Sequence, residues 1–277
     1  MIRTMSDPAR RFRALHDSFF VMPNPWDGGT ARLLADLGFA AIATSSAALA
    51  WTHAFPDGTG GVTRDLAIAH AQALAEASAL PVNGDFESGY GATPAEIAET
   101  VRRAADAGVA GCSIEDRDPA TDRVHPRTEA LRRFEAAKAA AVKSGTGFVL
   151  TGRCEVFFEP HPDPLAEAVE RLRAYEAAGA DVVYAPGLTS EEQVRAVVDA
   201  VRVPVNVLGG IGGVSNDLAS LARLGVRRVS IGSGLAKKAL GAFLEAARAL
   251  AEGRFDYAGS AASGSLNQAF ADRVPRA

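Results

Sequence analysis

The chain predicts an α/β protein of the (β/α)8 TIM-barrel class, and three observations carry that expectation. Short apolar runs alternate eight times with Ala-rich runs of helical length. Four helix-to-strand joints repeat one pattern, with glycine ending the helix and a strand-like run following at once: Leu37-Gly-Phe-Ala-Ala, Ala107-Gly-Val-Ala-Gly, Ala178-Gly-Ala-Asp-Val and Leu224-Gly-Val-Arg-Arg. The first strand runs into Asn24-Pro-Trp-Asp-Gly-Gly rather than G-x-G-x-x-G, which disfavours an open, doubly wound sheet. Alternating strands and helices pair in parallel, and eight units is the number that closes a barrel.

The elements follow in order. The apolar run at 19–22 is the first strand, and the helix expected at 28–37 is ended by Gly38. A strand at 40–43 leads to a helix at 63–79, and the run at 81–85 to a helix at 94–107 ended by Gly108. A strand at 110–114 precedes a helix at 127–143, with Gly145 just past it, and one at 147–151 precedes a helix at 164–178 with Gly179 after it. Strands at 181–184, 204–207 and 227–231 alternate with helices at 190–200, 216–224 and 234–251, with Gly225 ending the second of these helices.

A chain of 277 residues, 48% hydrophobic and 22% charged, fills one large core. Residues 1–252 are expected to form the catalytic barrel domain. Residues 253–277, with Gly-Ser-Ala-Ala-Ser-Gly-Ser at 259–265, are expected to be a flexible C-terminal arm. A net charge of −4 offers no basic field for nucleic acid or an anionic membrane. Cys112 and Cys154 lie in strand-like runs and read as buried free thiols. No apolar run reaches membrane-spanning length and the first residues are polar and basic, so the expectation is a soluble, cytoplasmic protein.

In a barrel the C-terminal ends of the strands line the active site. The third strand ends in Asp85-Phe-Glu87-Ser-Gly-Tyr-Gly91 and the fourth in Ile114-Glu115-Asp116. Neighbouring strands lie about 4.8 Å apart, so Asp85 and Glu115 can face one cation, and Glu87 keeps the facing of Asp85 if the strand stays extended. Converging carboxylates repel unless a cation neutralises them. Mg²⁺ fits, because this hard ion takes few protein carboxylates and leaves room for substrate oxygens. Asp116 and Asp118 read equally well as helix caps. Arg153, at the end of Phe148-Val-Leu-Thr-Gly-Arg-Cys-Glu155, suits a substrate carboxylate or phosphonate, or else a salt bridge to Glu155. The same rule selects Asn24, Ser45, Ser46, Tyr184 and Asn206. The glycines at 209–213 and 232–234 leave a phosphate-binding barrel open as an alternative.

Together these endings resemble the isocitrate lyase/phosphoenolpyruvate mutase superfamily. Its third strand ends in Asp-x-Asp-x-Gly-Tyr/Phe-Gly, matched here with Glu87 in the second acid position. Its fourth strand is matched by Ala107-Gly-Val-Ala-Gly-Cys-Ser-Ile-Glu115-Asp116, and its fifth by Gly152-Arg153-Cys-Glu155. Asn24 to Leu33 and Thr44-Ser45-Ser46 also fit the family's pattern. The resemblance implies Mg²⁺ or Mn²⁺ held at Asp85, Glu87 and Glu115, directly or through water. It implies a 2-oxo acid or its enolate against that ion, with Ser45, Ser46 and Arg153 gripping its carboxylate; the strand-end rule adds Asn24, Glu155 and Asn206 as substrate-binding candidates. It further implies a dimer or tetramer that exchanges its last barrel helix, here followed by the Gly/Ser tail.

One departure bears on the reaction. The lyases of this superfamily carry Lys-x-Cys-Gly-His after the fourth strand, whereas Arg117-Asp-Pro-Ala-Thr-Asp-Arg-Val-His125-Pro stands in that place. That disfavours isocitrate and methylisocitrate cleavage and leaves His125 or Arg123 as substitutes. Asp57, in the loop after the second strand, loosely matches an acid of the mutases. The expected activity is therefore metal-dependent cleavage or decarboxylation of an oxaloacetate-like acid through an enolate. Phosphonopyruvate hydrolysis or rearrangement, a phosphate-binding barrel enzyme and a non-catalytic metabolite-binding barrel are the alternatives.

Overall fold

The structure, a computed structural model, describes residues 7–210 and 217–271. Eight parallel strands form the barrel: β1 Phe20–Met22, β2 Ile42–Ala43, β3 Val82–Asp85, β4 Gly111–Glu115, β5 Val149–Arg153, β6 Val182–Tyr184, β7 Val205–Leu208 and β8 Arg228–Ser230. They follow the order β1-β8-β7-β6-β5-β4-β3-β2. The remaining seam between β1 and β2 is bridged where Ala43 N–H donates to Pro23 O at 3.0 Å. All eight strands predicted from the sequence are present, within about two residues at each end, a scatter normal for strand boundaries.

The helices are α1 Pro8–Leu15, α2 Gly28–Asp36, α3 Ser46–Thr52, α4 Arg64–Ser78, α5 Pro94–Asp106, α6 Arg127–Lys143, α7 Pro164–Ala177, α8 Glu191–Ala200, α9 Leu218–Arg223, α10 Gly234–Ala251 and α11 Ser263–Phe270. Their starts have a chemical cause. Thr93 caps α5 and forms a reciprocal capping box with Glu96, while Asp163 and Ser190 cap α7 and α8 through their side chains. Each such cap contributes about 1 kcal/mol by satisfying an otherwise orphaned N–H. The buried faces are small and apolar. In α5, Ile97, Val101, Ala104 and Ala105 pack inward, so the helix approaches its neighbours closely.

Several pieces lie outside the eightfold repeat. Helix α1 closes the N-terminal mouth of the barrel, where Phe12 packs with Met22, Ala110, Val149 and Val182. Helix α3 begins at the end of β2, capped by Ser45. A two-stranded antiparallel hairpin, Arg117–Asp118 with Arg123–Val124, fills the loop after β4. Helix α11 lies in the segment after Gly253 and returns to α2, where Arg32 Nε donates to Ala269 O at 3.2 Å. Gly212 and Gly213 of the glycine-rich ending of β7, and Asn216 of the helix expected at 216–224, fall outside the described residues.

Candidate active site

Parallel register brings the polar strand ends together rung by rung. Asp85 pairs with Ser113, Glu115 with Arg153, Arg153 with Tyr184, Tyr184 with Asn206, and Asn206 with Arg228. They surround a cavity of about 380 Å³ at the C-terminal end of the barrel, whose lining includes Asn24, Ser45, Ser46, Asp57, Asp85 and Arg153.

Arg153 is the hub. Its Nη1 lies 3.0 Å from Asp85 Oδ1 and 3.3 Å from Glu115 Oε2, and its Nε lies 2.6 Å from Glu155 Oε1. The guanidinium also stands over the Tyr184 ring at 5.5 Å. Burial alone would lower the Arg153 pKa; Glu155, Glu115 and Asp85 outweigh it and hold the side chain firmly cationic. Asp85 is fixed from its other side: its N–H donates to Thr44 Oγ1 at 2.7 Å, and its Oδ2 accepts from Ser46 N–H at 3.0 Å. The turn that starts α3 is therefore clamped to the end of β3.

The acids exceed the cations here. Burial, then repulsion from Asp85 and Asp57, pushes Glu87 up to about 7. Burial and Asp85 raise Asp57, and burial raises Glu115 well above the carboxylate range against the pull of Arg153. Strand β3 stops at Asp85, and Glu87 adopts φ 47°. The expectation that Glu87 continues the facing of Asp85 on an extended strand is thus corrected: the backbone turns into the left-handed region. Gly89, at φ 92°, completes this turn where a Cβ would meet Ile97 at 2.7 Å.

No group of three or more His, Cys, Asp or Glu among the described residues is arranged to enclose a metal ion. Glu87 and Glu115 are not among the cavity-lining residues. The donor set nevertheless fits a hard divalent cation that takes one carboxylate directly and reaches others through water. Each Asp85 oxygen carries a second lone pair beyond its present bond, and the mutual repulsion of Asp57, Asp85 and Glu87 is what such a cation would relieve.

Other expected residues take different places. Glu155 is buried and serves as the partner of Arg153 rather than as part of the cavity wall. Asp116 is no helix cap: it accepts from Glu155 N–H at 2.8 Å, Arg171 Nη1 at 3.1 Å and Tyr175 OH at 3.0 Å. Asn24 bridges Thr44 O and Ile231 N–H, and Asn206 bridges Ser230 Oγ and Arg228 Nε, so both are held as they face the cavity. His125 stands outside the cavity lining, at the foot of the hairpin, with Arg133, Asp118 and Glu129 as its charged neighbours. Arg123 pairs with Glu159 at 3.2 Å. Lining residues that the sequence did not mark include Lys237, Arg228 and Asn83. Asn83 and Arg228 had a legible signal, being polar residues at inward parity, two before Asp85 and two before Ser230. Lys237 enters from the first turn of α10, and no strand pattern marks it.

Comparison with known proteins bears on the fold and the family. The family model for phosphoenolpyruvate phosphomutase matches residues 12–251. A crystal structure from Burkholderia cenocepacia J2315, provisionally described as a lyase/mutase, superposes with a TM-score of 0.90 at 44% identity, covering 95% of this chain and 96% of that one. An uncharacterized protein of Mycobacterium tuberculosis is 33% identical over 235 residues, 84% of this chain and 85% of its own. An oxaloacetate decarboxylase of Pseudomonas savastanoi pv. phaseolicola is 29% identical over 231 residues, 80% of this chain and 77% of its own.

Proposed function

Because the chain belongs to the phosphoenolpyruvate phosphomutase family, within the isocitrate lyase/phosphoenolpyruvate mutase superfamily, we propose that it cleaves a carbon–carbon bond beside a 2-oxo or 2-hydroxy carboxylate, with an oxaloacetate-like acid as substrate. The observation that carries the reading is Arg153, held by Asp85, Glu115 and Glu155 at the edge of a cavity sized for a small acid. Asp85 would hold Mg²⁺ or Mn²⁺, with Glu87, Glu115 and Asp57 reaching it through water. Bound there, the cation would supply Lewis acidity to a 2-oxo group.

The chain's own residues do the rest. Arg153 binds the substrate carboxylate and favours the negative charge that develops on the 2-oxo oxygen as the bond breaks. Glu155 keeps the guanidinium from turning, and Ser45 and Ser46 orient the carboxylate from the α3 side. Decarboxylation places the least demand on this site, since CO₂ departs without a proton donor and the enolate left behind becomes pyruvate by taking a proton from water. That agrees with a loop at 117–126 that lacks the Lys-x-Cys-Gly-His residues. The catalytic unit is residues 1–252, with 253–277 as an arm, in a homo-oligomer. No described helix is long and apolar enough to cross a membrane.

The test is pyruvate release from oxaloacetate with Mg²⁺, for the wild type and Asp85→Ala. Equal turnover by the two proteins would remove the reading. A second reading, hydrolysis or rearrangement of phosphonopyruvate, is favoured by Lys237, which adds a cation to the cavity rim beside Asp57. Phosphate release from phosphonopyruvate distinguishes it.

A further inference from the structure

The inner end of the cavity is closed by an arginine that has no acid partner among the described residues. Arg228 is 1% exposed and lines the cavity. Its three hydrogen bonds go to neutral acceptors: Nε to Asn206 Oδ1 at 2.9 Å, Nη2 to Thr151 Oγ1 at 3.0 Å, and Nη1 to His16 Nε2 at 3.3 Å. A guanidinium carries five N–H bonds, so two remain beyond these contacts. Below it lies the α1 plug, with the Phe12 ring 5.9 Å from Cζ. Buried charges are ordinarily paired, as Arg153 and Arg171 are here. Burial lowers the Arg228 pKa to about 9, opposed only by the nearby Tyr184 hydroxyl.

A second observation points the same way. Asn83 is 4% exposed, lines the same cavity, and its Oδ1 accepts no hydrogen bond from the described residues. The inner end therefore presents a cation lacking an anion and an acceptor lacking a donor. Water or a ligand hydroxyl would fill the second; only an anion would fill the first.

We propose that Arg228 and Asn83 form an inner subsite that receives a carboxylate arm of the substrate, directed down the barrel axis away from Arg153. The assignment rests on the lyase reading for what occupies the outer end, and it narrows the substrate class. The preferred acid carries a second carboxylate, remote from its 2-oxo acid head, that enters the barrel rather than pointing to the mouth.

The experiment is calorimetric titration of the full-length, Mg²⁺-loaded protein with 2-oxoglutarate, with 2-oxovalerate, which has the same carbon count but no terminal carboxylate, and with oxalate, which has no arm. The wild type is expected to bind 2-oxoglutarate about tenfold or more tightly over 2-oxovalerate, as one charge-assisted contact provides. In Arg228→Gln the two should converge to within about threefold while oxalate affinity holds. Asn83→Leu, which fills the inner end without touching the arginine network, should weaken 2-oxoglutarate and spare oxalate; it serves if Arg228→Gln folds poorly. A wild type without preference, or a preference that survives both substitutions, overturns the subsite and leaves the lyase reading standing. An Arg228-dependent preference in a protein that neither turns over oxaloacetate nor binds oxalate would instead overturn the lyase reading alone.

Discussion

Nη1 of Arg153 lies 3.0 Å from Oδ1 of Asp85, joining the end of β5 to the end of β3 across the intervening β4. The same aspartate takes the Ser46 N–H on its other oxygen. Asp85 thus sits at the junction of three strand ends, and its removal should have two separable effects. Asp85→Ala is expected to lower kcat/KM on oxaloacetate by about 100-fold or more, the scale of losing one preorganised electrostatic group. It should also abolish the rise in Tm that Mg²⁺ produces. Saturating metal at about 100 times its Kd adds about 2.7 kcal/mol to a protein that binds it only when folded, and chelation should reverse that rise in the wild type. Differential scanning fluorimetry with and without chelator measures it.

Glu155 is a positioning residue, bonded to Arg153 Nε at 2.6 Å and absent from the cavity wall. Glu155→Gln keeps the shape and removes one charge from a charge-assisted bond, which contributes about 1.5–3 kcal/mol. Oxalate affinity should fall about tenfold or more, while the Mg²⁺-induced rise in Tm persists. Loss of the Mg²⁺ effect would instead place Glu155 among the metal-holding acids.

How much of this was legible in the residues varies by physical cause. The eight strands and their acidic ends follow from local apolar periodicity and from the rule that strand ends form the site, so Asp85, Glu115 and Arg153 could be grouped in advance. The turn at Glu87 could not, because a non-glycine residue ordinarily avoids the left-handed region, and only the packing of the turn, with Gly89 close against Ile97, imposes it. His125 was misplaced because nearness in sequence to Glu115 is not nearness in space once Arg117–Val124 folds into a hairpin. Lys237 lies over 80 residues beyond Arg153 and reaches the site only through barrel closure.

Asp116 ties Glu155 N–H, Arg171 and Tyr175 to the base of β4, and burial raises its pKa against those partners. Asp116→Ala would leave the buried Arg171 with only Glu167 as an acid partner. Breaking a buried pair in this way costs about 3–5 kcal/mol. Urea unfolding should show that loss as a lower midpoint, and a midpoint unchanged from wild type would contradict the placement of Asp116.

His16 connects the α1 plug to the barrel interior, and its tautomer follows from its partners. Arg228 only donates, so Nε2 accepts at 3.3 Å and Nδ1 carries the proton toward Phe12 O at 2.9 Å. A second proton would displace the arginine bond and add a like charge; burial, then Arg228, lowers the pKa from 6.5 to about 3. In the unfolded chain His16 takes up a proton near 6.5. Between these values the unfolded state binds more protons, so this contribution to stability is fully present above about pH 6.5 and is lost progressively as pH falls toward 3. The slope from this one group approaches about 1.4 kcal/mol per pH unit in the middle of that window. His16→Gln keeps a side-chain acceptor for Arg228 and removes the titration. Urea midpoints taken from pH 4.5 to 6.5 should therefore rise less steeply with pH in the variant, and parallel slopes would show that His16 titrates equally in both states.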